Sequence, residues 1–164
     1  MKLPKVHSFK VHTMLTDPKF IKRMTGSVSV IKKYDIPYVA GYSKDGKHIY
    51  IDRHVILKMN GIDISKYIVL HEHVEKSLMD LFNLKYQQAH HIALSIEHAS
   101  VTEDGVDWDA YSKHIDKYTK KLSHENLTQS PPDLDLSPYK DEKELPIFLR
   151  KHNKHELSKS SKNS

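Results

Sequence analysis

Histidine and carboxylate side chains, the groups that can bind divalent metals, are concentrated in the middle of this 164-residue chain. Seven of its 13 histidines lie between His48 and His98, and six acidic residues share that stretch: Asp52, Asp63, Glu72, Glu75, Asp80 and Glu97. The chain has no cysteine, so a metal would have to be bound by imidazole nitrogen or carboxylate oxygen. The composition therefore makes a metal site the first hypothesis for this stretch.

Two of these residues have the spacing of a helical metal site. His71 and Glu75 are four positions apart, so on a helix they project from the same face, one turn apart. An imidazole and a carboxylate so placed can each supply one ligand atom to a zinc-like ion at about 2.0 to 2.2 Å. A third ligand must then come from a neighbouring element.

The third ligand is expected from a second helix that packs against the first. If the chain reverses near Leu84, Glu97 comes level with His71 and is the favoured third ligand. His90 lies about two turns away from that level, where it would suit a supporting role or a second metal. His98 becomes an alternative if the helices are rotated, so the choice among the three residues stays open.

Three helices are predicted in the second half of the central region. The first runs from Ser65 to Phe82, because apolar residues recur at helical spacing: Tyr67, Leu70, Val74, Leu78 and Leu81. Ser65 is its expected N-cap residue. The second helix begins near Tyr86 and forms an antiparallel hairpin with the first, and the third covers about residues 107 to 122.

Strands are predicted before these helices. Runs rich in β-branched and aromatic residues occur around Val28–Ile31, Pro37–Tyr42 and His48–Asp52. An Asp-Gly pair separates the last two runs, and an Asn-Gly pair follows at positions 60 and 61, which indicates two hairpins. The predicted fold class is α+β: a small antiparallel β-meander, a helical hairpin, a third helix and a disordered C-terminal tail.

The chain divides into three parts in this interpretation. Residues 1–26 form an N-terminal segment with no clear period, apart from one or two helical turns expected between residues 18 and 24. Residues 27–125 form the domain that carries the metal site. Residues 126–164 are interpreted as a linker containing prolines, a short amphipathic helix and a basic tail, which we expect to be disordered because it has little to bury.

The charge of the chain is moderately basic. It has 26 Lys and Arg against 21 Asp and Glu, a formal net charge of +5, and much of the surplus lies near the ends. Weak, nonspecific contact of the basic tails with nucleic acid is therefore expected. Neither a signal-peptide run nor an apolar stretch near the roughly 18 residues of a membrane helix occurs, so a cytoplasmic protein without a membrane partner is predicted.

Residues 70–75, Leu-His-Glu-His-Val-Glu, resemble the H-E-x-x-H signature of the zincin metallopeptidases, with glutamate in place of the second histidine. The resemblance implies a zinc-dependent hydrolase acting on a peptide, a protein or another amide. Carried over by position, His71, Glu75 and Glu97 would be the metal ligands, and Glu72 the general base that activates a metal-bound water. One imidazole with two carboxylates would also suit Mn²⁺ or Fe²⁺.

A second likeness covers about residues 37–108, where the order Tyr-Ile-Asp-Arg, His-Glu-His-Val-Glu, Ala-His-His and Glu-His is similar to small uncharacterised phage and prophage proteins. That family supplies no activity and would place the protein in a host cytoplasm. It suggests the alternative of a non-enzymatic accessory protein whose hairpin is structural or binds a partner, and whose basic surface contacts nucleic acid.

Three further interpretations concern residues around this hairpin. A two-metal redox site could use the four side chains His71, Glu75, His90 and Glu97. Tyr50 or Arg53 could stabilise an oxyanion, although a hairpin ion pair is the simpler role. Trp108 and Tyr111 are expected to be core or lid residues at the start of the third helix.

Overall fold

The β-branched and aromatic runs form the predicted strands. The computed structural model describes residues 28–122 and 127–137. It contains a three-stranded sheet made of β1 (Ser29–Ile31), β2 (Ala40–Tyr42) and β3 (His48–Ile51). Strands β2 and β3 form the expected antiparallel hairpin, whose turn contains Gly46 at a φ of 70°. That left-handed conformation suits glycine, which has no Cβ to clash.

The position of β1 differs from a simple meander. The strand order is β1-β3-β2, and β1 pairs with β3 in parallel, with Ile31 opposite Tyr50. The chain reaches β2 by wrapping around the end of the sheet, where Arg53 N donates to Tyr34 O and Ile36 N donates to the Asp52 carboxylate. Because β2 covers one edge of β3, β1 takes the edge that remains.

A second, two-stranded hairpin leads into the helices. Strands β4 (Lys58–Met59) and β5 (Ile62–Asp63) are antiparallel. Asn60 and Gly61 connect them with φ values of 51° and 81°, and both positions are positive, as a type I′ turn requires. The predicted Asn-Gly hairpin is confirmed.

The three helices lie close to their predicted bounds: α1 is Ser65–Phe82, α2 is Tyr86–Glu103 and α3 is Trp108–Leu122. Helix α1 ends at Asn83, which adopts the left-handed conformation typical of a C-cap. Its N-cap position is Ile64, one residue before the expected Ser65, and the Asp63 carboxylate accepts a hydrogen bond from the Ser65 N–H. The α+β fold class is confirmed.

Helices α1 and α2 pack closely through small residues. Their shared apolar core consists of Val74, Leu78, Ala89, Ala93 and Ile96. The two alanines are fully buried and let the helix backbones approach each other. A second core joins α1 and α3 to the sheet through Ile68, Tyr118 and Leu122. These two cores pack the helical hairpin against the sheet.

Residues 127–137, which were interpreted as part of a linker, pack against the three-stranded sheet. Leu134 is buried, Tyr50 donates to the Asp133 carboxylate, and Asp135 N donates to Tyr42 O. These contacts are made with residues about 90 positions earlier, so the local composition of the segment could not indicate them. The predicted N-terminal helical turns, the short amphipathic helix and the disordered tail lie outside the described residues.

Within the described ranges, the helices include none with the length and hydropathy needed to cross a membrane.

Candidate metal centre

Three buried polar side chains lie together between α1 and α2, with His71 between two glutamates. His71, Glu75 and Glu97 have relative exposures of 8%, 6% and 6%, in a helical hairpin whose shared core is apolar. Ionisable groups buried to this degree are costly unless they are paired or bind a cation. Their positions follow from the helical spacing on α1 and from the close packing of α2.

The donor atoms of three residues converge on one point. His71 Nε2 lies 3.4 Å from Glu75 Oε2 and 3.2 Å from His90 Nδ1, and His90 Nδ1 lies 2.8 Å from Glu75 Oε2. Two ligand atoms of a tetrahedral zinc ion are separated by about 3.4 Å, given bond lengths near 2.1 Å. Two imidazoles and one carboxylate are also a known donor set of catalytic zinc sites. The residues therefore fit a divalent cation.

Glu97 lies on the opposite side of the His71 ring. His71 Nδ1–H donates to Glu97 Oε2 at 2.7 Å, so the carboxylate contacts the nitrogen that points away from Glu75 and His90. The structure therefore brings His71 and Glu75 together with the alternate His90, and places Glu97, the favoured third ligand, behind His71. His98 lies elsewhere, with its ring 4.3 Å from that of Trp108.

His90, rather than Glu97, meets Glu75 and His71 Nε2 because of the length of the side chains. Counting residues along the two antiparallel helices places Glu97 opposite His71, and these two side chains form a hydrogen bond. The same count places Glu75 opposite Ala93. His90 is three residues from Ala93, a distance of about 4.5 Å along the helix axis. The side chains of Glu75 and His90 are long enough to span that distance, which positions along the backbone alone do not show.

The chain also supplies a partner for Glu97 that was not identified from the sequence. The Tyr111 hydroxyl, from α3, donates a hydrogen bond to Glu97 Oε1. Tyr111 is 1% exposed and belongs to the apolar face of α3. Its helical spacing therefore predicts only a core position, and nothing in the local pattern points to the carboxylate.

Hydrogen bonding controls the protonation of His71 and Glu75. Burial lowers the pKa of His71, but its hydrogen bonds with Glu75 and Glu97 outweigh that effect and raise the pKa to about 10. Burial would raise the pKa of Glu75, but hydrogen bonds with His71 and His90 lower it overall. In the absence of a metal, the cluster is thus an imidazolium held between two carboxylates.

Glu72 has the opposite behaviour to Glu75. Burial, followed by repulsion from Glu75, raises the pKa of Glu72 to about 8. Its side chain lines the same cleft as His71, Glu75 and His90. A carboxyl group that titrates near neutral pH next to a possible cation site has the properties of a general base.

The cluster opens into a cleft of about 630 Å³ between the sheet and the helices. Its walls come from the chain entering β2 and from α1, α2 and α3, and include Tyr38, Ile68, Leu94, Trp108 and Ile115. A smaller cleft of about 70 Å³ lies on another side of Glu72 and Glu75, and Tyr42, Lys76 and Ser137 contribute to it. A cleft that combines apolar walls with converging polar groups is typical of a small-molecule or substrate site.

A second group of acidic and histidine side chains is already occupied by protein contacts. Asp35, Asp52 and His54 also have potential ligand atoms within 4.8 Å of one another. Asp35 forms an ion pair with Arg53 at 2.6 Å, and Asp52 accepts hydrogen bonds from the backbone of Ile36 and His54. These carboxylates brace the end of the sheet.

Two of the other candidates are held in structural contacts. Arg53 forms an ion pair with Asp35, which lies before β2 and outside the hairpin, and Tyr50 donates to the Asp133 carboxylate. His73 contacts the Tyr42 hydroxyl, and burial lowers the pKa of His73 to about 4. Neither Tyr50 nor Arg53 is among the residues that line the large cleft.

No protein-family model, curated protein or solved structure matches this chain. The resemblances to zincins and to phage proteins therefore stay predictions. The function has to be argued from the geometry of the cluster and its cleft.

Proposed function

We propose that this protein is a metal-dependent hydrolase that binds one divalent cation through His71, Glu75 and His90. The observation that supports the proposal is the convergence of three donor atoms within 4.8 Å of one another at the wall of a 630 Å³ cleft. Zinc suits a site with two imidazoles and one carboxylate, and Mn²⁺ or Fe²⁺ are the alternatives.

A cation bound there would supply Lewis acidity, which polarises a carbonyl group and acidifies water. Glu72 is the group proposed to accept the proton and return it to the leaving group. In the metal-free protein, burial and the charge of Glu75 raise the pKa of Glu72 to about 8. A divalent cation bound to Glu75 would lower that pKa and favour the carboxylate form, which can accept a proton near neutral pH. Glu72 belongs to α1, one position after His71, so the helix fixes the distance between the proposed base and the cation.

Glu97 has a different role in this proposal from the one expected at first. By accepting the His71 Nδ1–H, it selects the tautomer in which Nε2 is free to bind a cation. Histidine ligands commonly donate their second ring N–H to a carboxylate in this way. The ligand set thus becomes two imidazoles and one carboxylate, with a second carboxylate behind the first imidazole.

The substrate class proposed is a peptide or another amide with apolar substituents. The walls of the cleft carry aromatic and aliphatic side chains from several elements. The histidines and glutamates that line it lie on α1 and α2, and Asp116 and Lys120 line it from α3. The apolar side chains favour an apolar group beside the scissile bond, because burying apolar surface contributes about 25 cal/mol for each Å².

The activity is tested with dye-labelled casein and an acylated aromatic amino-acid anilide as probes. We expect cleavage that is lost on chelation and restored by Zn²⁺. Glu72→Gln should lower the rate about a hundredfold or more while the metal stays bound. Glu103→Gln, an exposed residue at the end of α2, is the matched control and should retain the rate. Cleavage that survives chelation, unaltered turnover in Glu72→Gln, or no cleavage of either probe would contradict the proposal.

A further inference from the structure

Helix α3 reaches the proposed metal centre through one hydroxyl group. Tyr111 donates to Glu97 Oε1, and Glu97 Oε2 accepts the His71 Nδ1–H at 2.7 Å. The three residues come from α3, α2 and α1 in turn, and their relative exposures are all 8% or less. They form a continuous chain of hydrogen bonds from the third helix to the metal-facing imidazole.

Both oxygens of the Glu97 carboxylate are engaged, and this restricts its rotation. The His71 contact alone fixes the position of Oε2 but leaves the plane of the carboxylate undefined. The Tyr111 hydroxyl holds the other oxygen from a different helix, which defines the plane of the carboxylate. The His71 ring is therefore held in the orientation that directs Nε2 toward Glu75 and His90.

Tyr67 shows what a purely structural tyrosine looks like in the same core. Its ring meets that of Tyr111 edge to face, with centroids 5.6 Å apart, and both residues are 1% exposed. The Tyr67 hydroxyl, however, donates to Asp104 at 2.8 Å and makes no contact with Glu97. The two tyrosines share an apolar environment and differ in the carboxylate that they bind.

We propose that Tyr111 is a positioning residue that acts through Glu97 to orient His71 for metal binding, so that the docking of α3 sets the metal affinity. This inference rests on the proposed function. Contacts behind a metal ligand typically change metal affinity by about 10- to 100-fold.

The test measures the zinc dissociation constant by competition with a chromophoric chelator. Tyr111→Phe keeps the ring that packs in the core and is expected to weaken zinc binding by about tenfold. Tyr67→Phe, the matched control, should stay within about twofold of wild type, because its hydroxyl lies outside the chain of hydrogen bonds. Urea unfolding of each metal-free variant separates a loss of affinity from a loss of fold.

Glu97→Gln provides a second variant and completes a double-mutant cycle. If Tyr111 acts through Glu97, adding Tyr111→Phe to Glu97→Gln should change zinc affinity by no more than about twofold. Full additivity of the two changes, or equal losses in Tyr111→Phe and Tyr67→Phe, would overturn the inference. If the wild type binds zinc and Tyr111→Phe binds it with unchanged affinity, the inference about Tyr111 is overturned and the proposed function is not. If the wild type binds no zinc, the proposed function is overturned as well.

Discussion

At the scale of single residues, the protonated imidazole of His71 is shared by two buried carboxylates in the metal-free protein. Glu75 and Glu97 approach opposite ring nitrogens of His71, and their hydrogen bonds raise its pKa to about 10 although burial opposes the charge. A proton on the ring offsets one of the two negative charges, whereas a divalent cation bound to the neutral ring would offset both. The residue is therefore needed for stability as well as for binding.

Removing that imidazole should destabilise the metal-free fold. His71→Ala leaves Glu75 and Glu97 buried without their common partner, and breaking a buried pair in this way costs about 3 to 5 kcal/mol. We expect the free energy of unfolding in urea to fall by that amount. His91→Ala, at an exposed position of α2, should change it by only about 0.5 kcal/mol. If the His71→Ala and His91→Ala variants were equally stable, the ion pairs of His71 with Glu75 and Glu97 would make no net contribution to the stability of the fold.

Glu97 and His90 show how far residue spacing alone could go. Helical spacing predicts that Glu97 lies level with His71, as a third ligand, and the structure shows the two residues joined by a 2.7 Å hydrogen bond. Spacing could not show which ring nitrogen the carboxylate contacts, nor that the Glu75 side chain extends to His90. The role of each residue depends on side-chain direction, which the sequence does not contain.

At the scale of elements, the distance between α1 and α2 decides whether the donor atoms converge. Ala93 is fully buried in the interface between these helices. A larger side chain there would separate the helices and would move His90 away from Glu75, which are 2.8 Å apart. The site therefore depends on small residues that make no contact with a metal.

Ala93→Leu should weaken both the fold and metal binding. Overpacking a tight core typically costs about 1 to 3 kcal/mol, and we expect thermal unfolding and zinc titration to show parallel losses. Ala99→Leu adds the same side chain at an exposed position of α2 and serves as the control. A variant that loses stability but binds zinc with unchanged affinity would show that the donor atoms tolerate a wider helix spacing.

The elements differ in how well local sequence predicts them. The helices and the Asn60-Gly61 turn are encoded by periodic apolar residues and by residues that tolerate positive φ, and both were predicted. The parallel pairing of β1 with β3 and the packing of residues 127–137 depend on contacts between distant parts of the chain. Short-range patterns carry no signal for contacts of that kind.

At the scale of the whole molecule, Asp35 attaches the segment of residues 127–137 to the end of the sheet. Burial would raise the pKa of Asp35, but hydrogen bonds from Thr128 and Gln129, together with the Arg53 guanidinium, lower it below the usual value. Because the folded-state pKa is lowered, the charged Asp35 stabilises the fold above the unfolded-state pKa. That contribution is lost as the pH falls through the lower folded-state value.

Asp35→Asn should therefore destabilise the protein in a way that depends on pH. At pH 6 to 8 we expect a loss of about 2 kcal/mol in the free energy of unfolding, because the variant lacks the charge in these hydrogen bonds. The gap to wild type should narrow below a pH of about 4, where the unfolded-state aspartate is protonated. Urea unfolding across this range measures it, and a gap that widens toward acid would contradict the assignment.

The most direct test of the central claim is a measurement of bound zinc. The protein is purified without a histidine tag, stripped with a chelator, reloaded with zinc and passed through a desalting column. We predict about one zinc ion per chain for the wild type and for His91→Ala, and little for His71→Ala or His90→Ala, because each of the last two removes one of three ligands. A wild type without zinc, or a His90→Ala variant that retains it in full, would contradict the proposed site.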